Sequence, residues 1–247
     1  MHKLSVITVT WNAVTTLERT LQSVGEQSWP LLEHLVIDGG SDDGTVELIR
    51  SLSHARMKWV SEPDKGLYDA MNKGAALASG DYLCFLNAGD TFFAADTVEQ
   101  MMRSWADQPA PDILYGETAI VDEVGTFLHM RRLKAPRRLD WKSFRRGMVV
   151  CHQAFIVKRE LFEPYDLAYR FSSDFDWSIR MMKKAASIHH TRLTLINYLN
   201  EGMTTRNHKA SLKERYRIMA HHYGELPTFL HHLWFAVRAL VRQIKGD

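Results

Sequence analysis

The sequence predicts an α/β fold with a central, mostly parallel sheet and a C-terminal amphipathic helical extension. Short apolar runs that are typical of buried strands alternate with segments of helical periodicity. Each strand-like run in the first ninety residues ends in a polar turn, and the last twenty or so residues follow a helical pattern of a different character. Repeated strand, polar turn and helix indicate βαβ units, which build a parallel sheet.

The first of these units begins at the N-terminus. Leu4–Thr10 is β-branched and apolar and predicts a strand, and a helix follows the polar interruption at Trp11 and Asn12. Leu35–Ile37 predicts a second strand, which leads through the turn at 38–44 into another helix. A Gly-rich turn before a helix suits close approach of a phosphate or nucleoside to the backbone. The sequence contains neither a GxGxxG fingerprint nor a P-loop.

Residues 61–90 contain a polar turn, a helix, a buried strand and an acidic turn. Asp69 and Asn72 are three residues apart and therefore share the polar face of the helix. Asn87 and Asp90 follow the apolar strand Tyr82–Leu86, and ligands of open α/β sheets bind outside the carboxyl ends of the strands. The segment therefore predicts a site for a phosphate and a metal ion. The alternative is that these side chains merely cap a helix and fill a turn.

Five segments together resemble family 2 glycosyltransferases, including the short bacterial enzymes of exopolysaccharide (colanic-acid-type) and O-antigen assembly. The segments are SVITVTWN, VIDGGSDDGT, SEPDKGLYDAMNKG, GDYLCFLNAGD and SDFDWSIR. The resemblance covers about residues 3–205 and implies a GT-A nucleotide-sugar-binding fold. It divides the chain into a nucleotide-sugar-binding half at 1–110, an acceptor and catalytic-base half of the same domain at 111–205, and the helical extension at 206–247.

The resemblance also assigns roles by position. Trp11 matches an aromatic residue that packs on the nucleobase, and Asp38 matches a carboxylate that binds the base, typically uracil. Asp174 matches the Asp that acts as catalytic base. The residues that the resemblance implies for nucleotide-sugar binding are Thr10, Trp11, Asn12, Asp38, Gly39, Asp69, Asn72, Asn87 and Asp90.

The metal-binding turn departs from the family pattern. Many relatives have two adjacent acids where this chain has Gly89-Asp90, and an acid is also common at the position of Asn87. Asp90 is then the expected metal ligand, with Mg²⁺ or Mn²⁺ as the cofactor. One carboxylate, the donor phosphates and water suffice to hold such an ion. We therefore expect the metal to bind weakly without the nucleotide.

The acceptor half contains a basic segment and a polar pair. Residues 131–146 carry eight Arg and Lys side chains, and Pro136 predicts a loop followed by a short helix. This segment is either a solvated face or, through residues such as Arg137 and Arg138, an anion site at the acceptor entrance. His152 and Gln153 lie in an apolar run, 149–157, that predicts a strand. They are either satisfied core residues or, as the resemblance implies, neighbours of the donor phosphates or the acceptor.

Asp174 follows two serines that could cap a helix, and capping is the structural alternative to its role as base. In the first turn, the helix dipole would favour its ionised form. Asp176 is two residues further on and should point elsewhere, so one of the two is expected to be the base.

Composition predicts a cytoplasmic protein. Cys84 and Cys151 lie in apolar runs and are expected to be reduced core residues. The chain enters a strand directly after its first residues, which predicts no signal peptide, and no apolar run approaches the length of a membrane span. The acidic motifs disfavour nucleic acid as a partner.

The C-terminal segment predicts an amphipathic helix whose apolar stripe runs from Leu226 to Ile244, with Arg238, Arg242 and Lys245 towards its end. Such a helix suits the cytoplasmic face of the inner membrane. The alternatives are packing on the globular domain or a homodimer. The polar segment 200–208 is interpreted as a loop that closes over the donor, and the histidines at 221–222 and 231–232 are assigned no chemistry.

The resemblance implies an inverting glycosyltransferase that moves a sugar from a UDP-sugar to a hydroxyl of an undecaprenyl-diphosphate-linked saccharide. A nucleotidyltransferase is the first alternative, although the first strand lacks the Gly-rich Lys/Arg signature expected of one. A catalytically silent binding or scaffold protein of the same fold is the second, since the acidic turn is depleted.

Overall fold

A computed structural model describes residues 1–200 and 208–245 of the chain. The strands are Leu4–Thr10 (β1), Leu32–Asp38 (β2), Met57–Ser61 (β3), Tyr82–Phe85 (β4), Thr91–Phe92 (β5), Ile113–Val121 (β6), Phe127–Met130 (β7), Phe155–Lys158 (β8) and Ile188–Leu199 (β9). The α-helices are Leu17–Gly25 (α1), Thr45–Ser51 (α2), Leu67–Leu77 (α3), Thr97–Arg103 (α4), Ser173–Lys184 (α5), His208–Tyr223 (α6) and Glu225–Lys245 (α7). Short 3₁₀ helices cover Trp141–Arg146, His152–Ala154 and Arg159–Leu161. The loop predicted at 200–208 falls almost entirely outside the described residues.

The strands of the described residues form one sheet in the order β3-β2-β1-β4-β8-β6-β9-β5, with β7 paired to β6 beside this path. Strands β3, β2, β1 and β4 are parallel, as predicted. Strand β8 is antiparallel to both β4 and β6, while β9 is parallel to β6. The parallel sheet is therefore confined to the N-terminal half, and a mixed sheet continues it. The division of the chain near residue 110 stays a prediction.

Both faces of the sheet are covered. Along β1, Ile7 and Val9 join an apolar cluster that includes α3 and α5, whereas Leu4 and Val6 join one that includes α1 and α4. This alternation explains why the strand is apolar throughout, because a strand buried on both faces has no solvated side. Helix α3 packs closely on β1: a Cβ atom at Gly74 would collide with the Ile7 side chain.

Two local predictions are wrong. The run at 149–157 does not form one strand, because a 3₁₀ turn at His152–Ala154 precedes β8. Ser172 occupies the N-cap position of α5, but its hydroxyl contacts the Ser211 hydroxyl at 3.0 Å instead of capping the helix. Both departures have the same cause, since partners far away in sequence satisfy these polar groups.

The two cysteines are buried and free, as expected of reduced core residues. Burial raises the pKa of Cys84 to about 12 and that of Cys151 to about 11, which keeps both as unreactive thiols at neutral pH.

Candidate active site

The predicted nucleotide-binding residues meet at one edge of the sheet. Thr10 and Asp38 are paired at the carboxyl ends of β1 and β2, and Asn87 and Asp90 follow β4 at the same edge. The parallel register of β1, β2 and β4 brings these ends together, as the sequence predicts.

Asp38 organises the turn after β2. Its Oδ2 accepts hydrogen bonds from the backbone N–H of Gly40 at 3.1 Å and of Ser41 at 2.9 Å, and from the Ser61 hydroxyl at 2.6 Å. The Ser41 hydroxyl donates to Oδ1 at 2.5 Å. The side chain is fully buried, so in this structure Asp38 shapes the turn. Its contact with a nucleobase stays a prediction.

The loops after β1 and β2 are joined by side chains. Asn12 has a positive φ of 47°, and its side chain exchanges two hydrogen bonds with Asp42, one with the carboxylate and one with the backbone N–H. Its own backbone N–H donates to the Ser41 hydroxyl at 2.8 Å. Trp11 stands beside this joint with 68% of its surface exposed, which leaves its ring free to stack on a planar ligand.

The segment before and within α3 supplies the neighbouring wall. Gly39 lies so close to Asp64 that a Cβ atom there would meet the Asp64 carboxylate at 2.5 Å. Asp69 accepts a hydrogen bond from the backbone N–H of Lys65 at 3.0 Å. The Asn72 side-chain oxygen accepts a hydrogen bond from the Tyr165 backbone N–H at 2.8 Å, and its nitrogen donates one to the Tyr165 carbonyl at 3.0 Å. Asn72 therefore fastens α3 to the segment that precedes α5.

Asp90 is a buried carboxylate with both oxygens engaged. Gln153 donates to Oδ2 at 2.7 Å, and the Leu199 backbone N–H donates to Oδ1 at 3.0 Å. Burial raises the pKa of Asp90 to about 6, although these two hydrogen bonds lower it in part. The ionised form of Asp90 is therefore held at a cost to stability.

The described residues do not form a metal site by themselves. None of their His, Cys, Asp and Glu side chains lie in a group of three or more that could hold an ion. Asp90 is 3% exposed, and its oxygens already accept hydrogen bonds. The donor set thus fits weak metal binding at most, in line with the depleted acidic turn.

Asp174 lies in the first turn of α5 and is held from two sides. The Tyr68 hydroxyl donates to Oδ1 at 2.9 Å, and Nδ1 of His152 lies 3.5 Å from Oδ2. Burial raises the pKa of Asp174, but the hydrogen bond and charge of His152, the charge of Arg215 and the Tyr68 hydroxyl outweigh it. The pKa therefore lies below its usual value, and Asp174 is ionised at neutral pH.

The 3₁₀ turn at His152–Ala154 contacts the carboxylates of both Asp90 and Asp174. His152 faces Asp174 while the next residue, Gln153, donates to Asp90. Both side chains are buried and contact the carboxylates of Asp174 and Asp90. Their proximity to the donor phosphates or the acceptor stays a prediction. A side chain in a regular strand would alternate faces, so the 3₁₀ turn is what allows neighbouring residues to serve both groups.

Several polar atoms here lack a protein partner. Within the described ranges, Thr10 Oγ1, Asn87 Oδ1, His152 Nε2 and Arg215 Nε are buried without a hydrogen bond. Most buried polar groups in proteins are paired, so these four atoms are available to a bound molecule.

Asp176 has a different environment from Asp174. Its carboxylate accepts a hydrogen bond from Arg180 Nε at 2.7 Å and contacts His222 Nε2 at 2.7 Å, while Lys183 Nζ lies 2.9 Å from the other ring nitrogen. Asp176 thus joins α5 to α6 and is not free to act on a substrate.

The basic segment adjoins the C-terminal helices. Arg137 and Arg138 are exposed, and the 3₁₀ helix after them confirms the predicted loop and short helix. The Arg145 guanidinium lies 5.1 Å from the Tyr223 ring centre, and the charges of Arg145 and Arg146 act on His231 of α7. Within the described ranges, no helix is both long and apolar enough to cross a bilayer.

Sequence reasoning missed three residues of this region. Tyr68 could have been suspected from its place beside Asp69 in the polar segment 61–72. Arg215 and His222 gave no signal, because their contacts depend on how α6 packs against α5.

Residues 5–165 match the family model described as Glycosyl transferase family 2. The chain is a family 2 glycosyltransferase. The matched range includes Asp38, Asp90 and His152 but ends before Asp174. Membership decides against the nucleotidyltransferase alternative.

Named relatives agree. The enzyme is 31% identical over 203 residues to the PGL/p-HBAD biosynthesis glycosyltransferase of Mycobacterium bovis (strain BCG / Pasteur 1173P2), covering 80% of this chain and 76% of the relative. It is 24% identical over 234 residues to EpsH of Bacillus subtilis (strain 168), covering 87% of this chain and 63% of EpsH.

Solved structures confirm the GT-A fold. TarS 1-349 of S. aureus in complex with UDP has a TM-score of 0.67 at 16% identity, covering 88% of this chain and 64% of that one. The chain thus spans less than two thirds of that TarS chain. Mannosyltransferase PcManGT from Pyrobaculum calidifontis in complex with GDP-Man and Mn²⁺ has a TM-score of 0.65 at 17% identity. The match covers 99% of this chain and 80% of the PcManGT chain.

Proposed function

We propose that this glycosyltransferase moves a sugar from a UDP-sugar to a hydroxyl of a lipid-linked saccharide, with inversion at the anomeric carbon. The observation that carries the proposal is the ionised Asp174 carboxylate, which Tyr68 and His152 hold at the same edge as Asp90. A general base must be ionised and oriented before the acceptor arrives, and Asp174 meets both requirements.

In this mechanism Asp174 takes the proton from the acceptor hydroxyl as its oxygen attacks the anomeric carbon. The bond to the donor diphosphate breaks on the opposite face, which inverts the configuration. Tyr68 keeps its own proton, because burial and the charge of Asp174 raise its pKa well above the usual value. It therefore orients the base without competing with it.

Uracil is the proposed base of the donor. The loops of Trp11 and Asp38 form the proposed base-binding corner, and TarS has been solved with UDP and with UDP-GlcNAc. PcManGT, with GDP-Man, represents the competing donor class. A divalent cation would be held by Asp90 together with the donor phosphates, and it would neutralise charge on the diphosphate.

The acceptor is proposed to be presented at the cytoplasmic face of the inner membrane. Leu226, Phe229, Leu230, Leu233 and Val237 are each at least half exposed on α7, and the basic residues Arg145 and Arg146 lie against the same helix. An exposed apolar face on a helix with basic residues nearby suits an anionic bilayer surface. Undecaprenyl-diphosphate-linked saccharides are the proposed acceptor class, and a second copy of the chain is the alternative partner for this face.

A nucleotide-release assay tests the activity. The purified enzyme is incubated with UDP-sugars and, in parallel, GDP-sugars, with a lipid-linked saccharide extract as acceptor. We expect acceptor-dependent release of UDP that Asp174→Asn abolishes. Release of GDP in preference to UDP would contradict the donor class, and no acceptor-dependent release from any donor would favour a catalytically silent protein.

A further inference from the structure

Negative charge develops on the diphosphate as the glycosidic bond breaks, and a cation placed there stabilises the transition state. This inference rests on the proposed function. The Asp90 oxygens are engaged, and the described side chains offer no three-ligand metal group. Cationic side chains near Asp90 and Asp174 are therefore candidates for this task, with or without a metal ion.

Two of the nearby cations are held by the backbone. Arg19 acts on Asp90, but its Nη1 donates to the carbonyls of Asp122 and Glu123, both at 3.2 Å. The charge of Arg131 acts on Tyr198, as do those of Asp90 and Asp174, but Arg131 donates to the carbonyls of Leu133 and Met148. These contacts fix both guanidinium groups as parts of the scaffold.

Arg215 differs from these two. Its Cζ lies 5.9 Å from the ring centre of Phe175, the residue that follows Asp174, and its Nε is buried without a hydrogen-bond partner among the described residues. An Arg side chain with a buried, unpaired N–H beside a carboxylate is costly unless a ligand completes its hydrogen bonds.

The position of Arg215 is fixed by its helix. The Glu214 carboxylate accepts hydrogen bonds from the backbone N–H of Arg170 at 2.9 Å and of Phe171 at 2.8 Å. One turn earlier, the hydroxyls of Ser211 and Ser172 are 3.0 Å apart. These contacts anchor α6 against the segment that leads into α5, so Arg215 is presented at the start of the helix that carries Asp174.

We propose that Arg215 binds a diphosphate group at the Asp174 site. A guanidinium is suited to this ligand, because its planar fork donates two parallel hydrogen bonds to phosphate oxygens. The diphosphate belongs either to the UDP donor or to the lipid-linked acceptor. Both present the same chemistry to Arg215.

The test compares the wild type with Arg215→Gln and Arg215→Lys, and uses Arg217→Gln as the matched control, since Arg217 is exposed on the same helix. Calorimetry measures the affinity for UDP, and then for inorganic pyrophosphate added to UDP-saturated enzyme. Saturation-transfer NMR measures the affinity for uridine, which lacks phosphates. Thermal unfolding is recorded for each variant to verify folding.

If the donor diphosphate is the ligand, Arg215→Gln weakens UDP binding about 10- to 100-fold and leaves uridine binding unchanged. If the acceptor diphosphate is the ligand, the same variant keeps its UDP affinity but loses pyrophosphate binding. In either case Arg215→Lys is intermediate, because it keeps the charge without the fork, and Arg217→Gln behaves as the wild type.

Two results would overturn the proposal. The first is unchanged binding of both UDP and pyrophosphate in Arg215→Gln. The second is an equal loss of UDP and uridine affinity, which would mean that Arg215 supports the fold instead of a phosphate. Failure of the wild type to bind UDP while binding GDP would refute the proposed donor, and the same comparison with GDP and guanosine would then judge Arg215 separately.

Discussion

Replacement of Asp90 by Asn should stabilise the enzyme at neutral pH while impairing its function. Burial raises the pKa of Asp90 to about 6, against an ordinary value of 3.8. At 1.36 kcal/mol per unit, keeping Asp90 ionised in the folded state costs about 3 kcal/mol at pH 7. Asn avoids this cost, and its carbonyl oxygen can still accept the hydrogen bond from the Leu199 N–H. The Gln153 amide, which donates to the other Asp90 oxygen, must turn its own oxygen towards the new NH₂ group to keep the second hydrogen bond.

The sign of the pH dependence follows from linkage. The pKa of Asp90 is raised on folding. The contribution of Asp90 to the free energy of unfolding is therefore greatest below pH 3.8 and is lost as pH rises through about 6. At pH 4.5 the wild type regains about 2 of the 3 kcal/mol, so the advantage of Asp90→Asn should shrink to roughly 1 kcal/mol.

Urea unfolding at pH 7.5 and pH 4.5 measures this difference in the free energy of unfolding. Glu160→Gln is the matched control, since it removes an exposed acid that lies outside the site. An Asp90→Asn variant that is less stable than the wild type at pH 7.5, or whose stability difference does not change with pH, would refute the reasoning. Loss of transferase activity in a more stable variant would show that transfer requires the Asp90 carboxylate although this group lowers the stability of the fold.

Three further predictions concern the base, the nucleotide and the membrane. Asp174→Asn should abolish transfer and leave UDP affinity within about twofold, because a base acts on the acceptor; normal turnover in the release assay would contradict this. Asp38→Ala should weaken UDP binding by about 1.5–3 kcal/mol, since it removes charge-assisted bonds that shape the turn, and equal calorimetric affinities would count against it. Replacing Leu226, Leu230 and Leu233 by Ser should reduce flotation with anionic liposomes, as each leucine contributes on the order of 1 kcal/mol on partial burial. Failure of the wild type to float at low salt would instead favour a packing or dimer role for α7.

The sequence predicted the part of the fold that local patterns encode. Strands β1, β2 and β4 are buried on both faces and end in polar turns, so their apolar runs and their ends are visible without a structure. The turns after β2 and β4 place Asp38 and Asp90 by the same logic, whereas the role expected of Asp174 rests on the family resemblance. The 3₁₀ turn at His152–Ala154 was missed because an apolar run of that length has the same appearance with or without a break.

The contacts that complete the site depend on distant residues. Tyr68 and Asp174 are 106 positions apart, and His222 and Asp176 are 46 apart. Arg215 lies over the Phe175 ring because Glu214 and Ser211 anchor its helix, and neither anchor belongs to a recognisable motif. Single-sequence patterns report on periodicity and turns, so they carry no information about such pairings.

The contact between Asp176 and His222 limits how the enzyme can be re-engineered. The C-terminal helices look like an exchangeable module, since they follow the family motifs and carry the exposed apolar face. Asp176 is buried and has two side-chain partners among the described residues, Arg180 and His222. A graft that replaces α6 removes His222, so of these two only Arg180 would remain to pair with this carboxylate, two residues from Asp174. A tail taken from another enzyme would therefore have to bring its own counterpart of His222, or be combined with a neutral residue at 176.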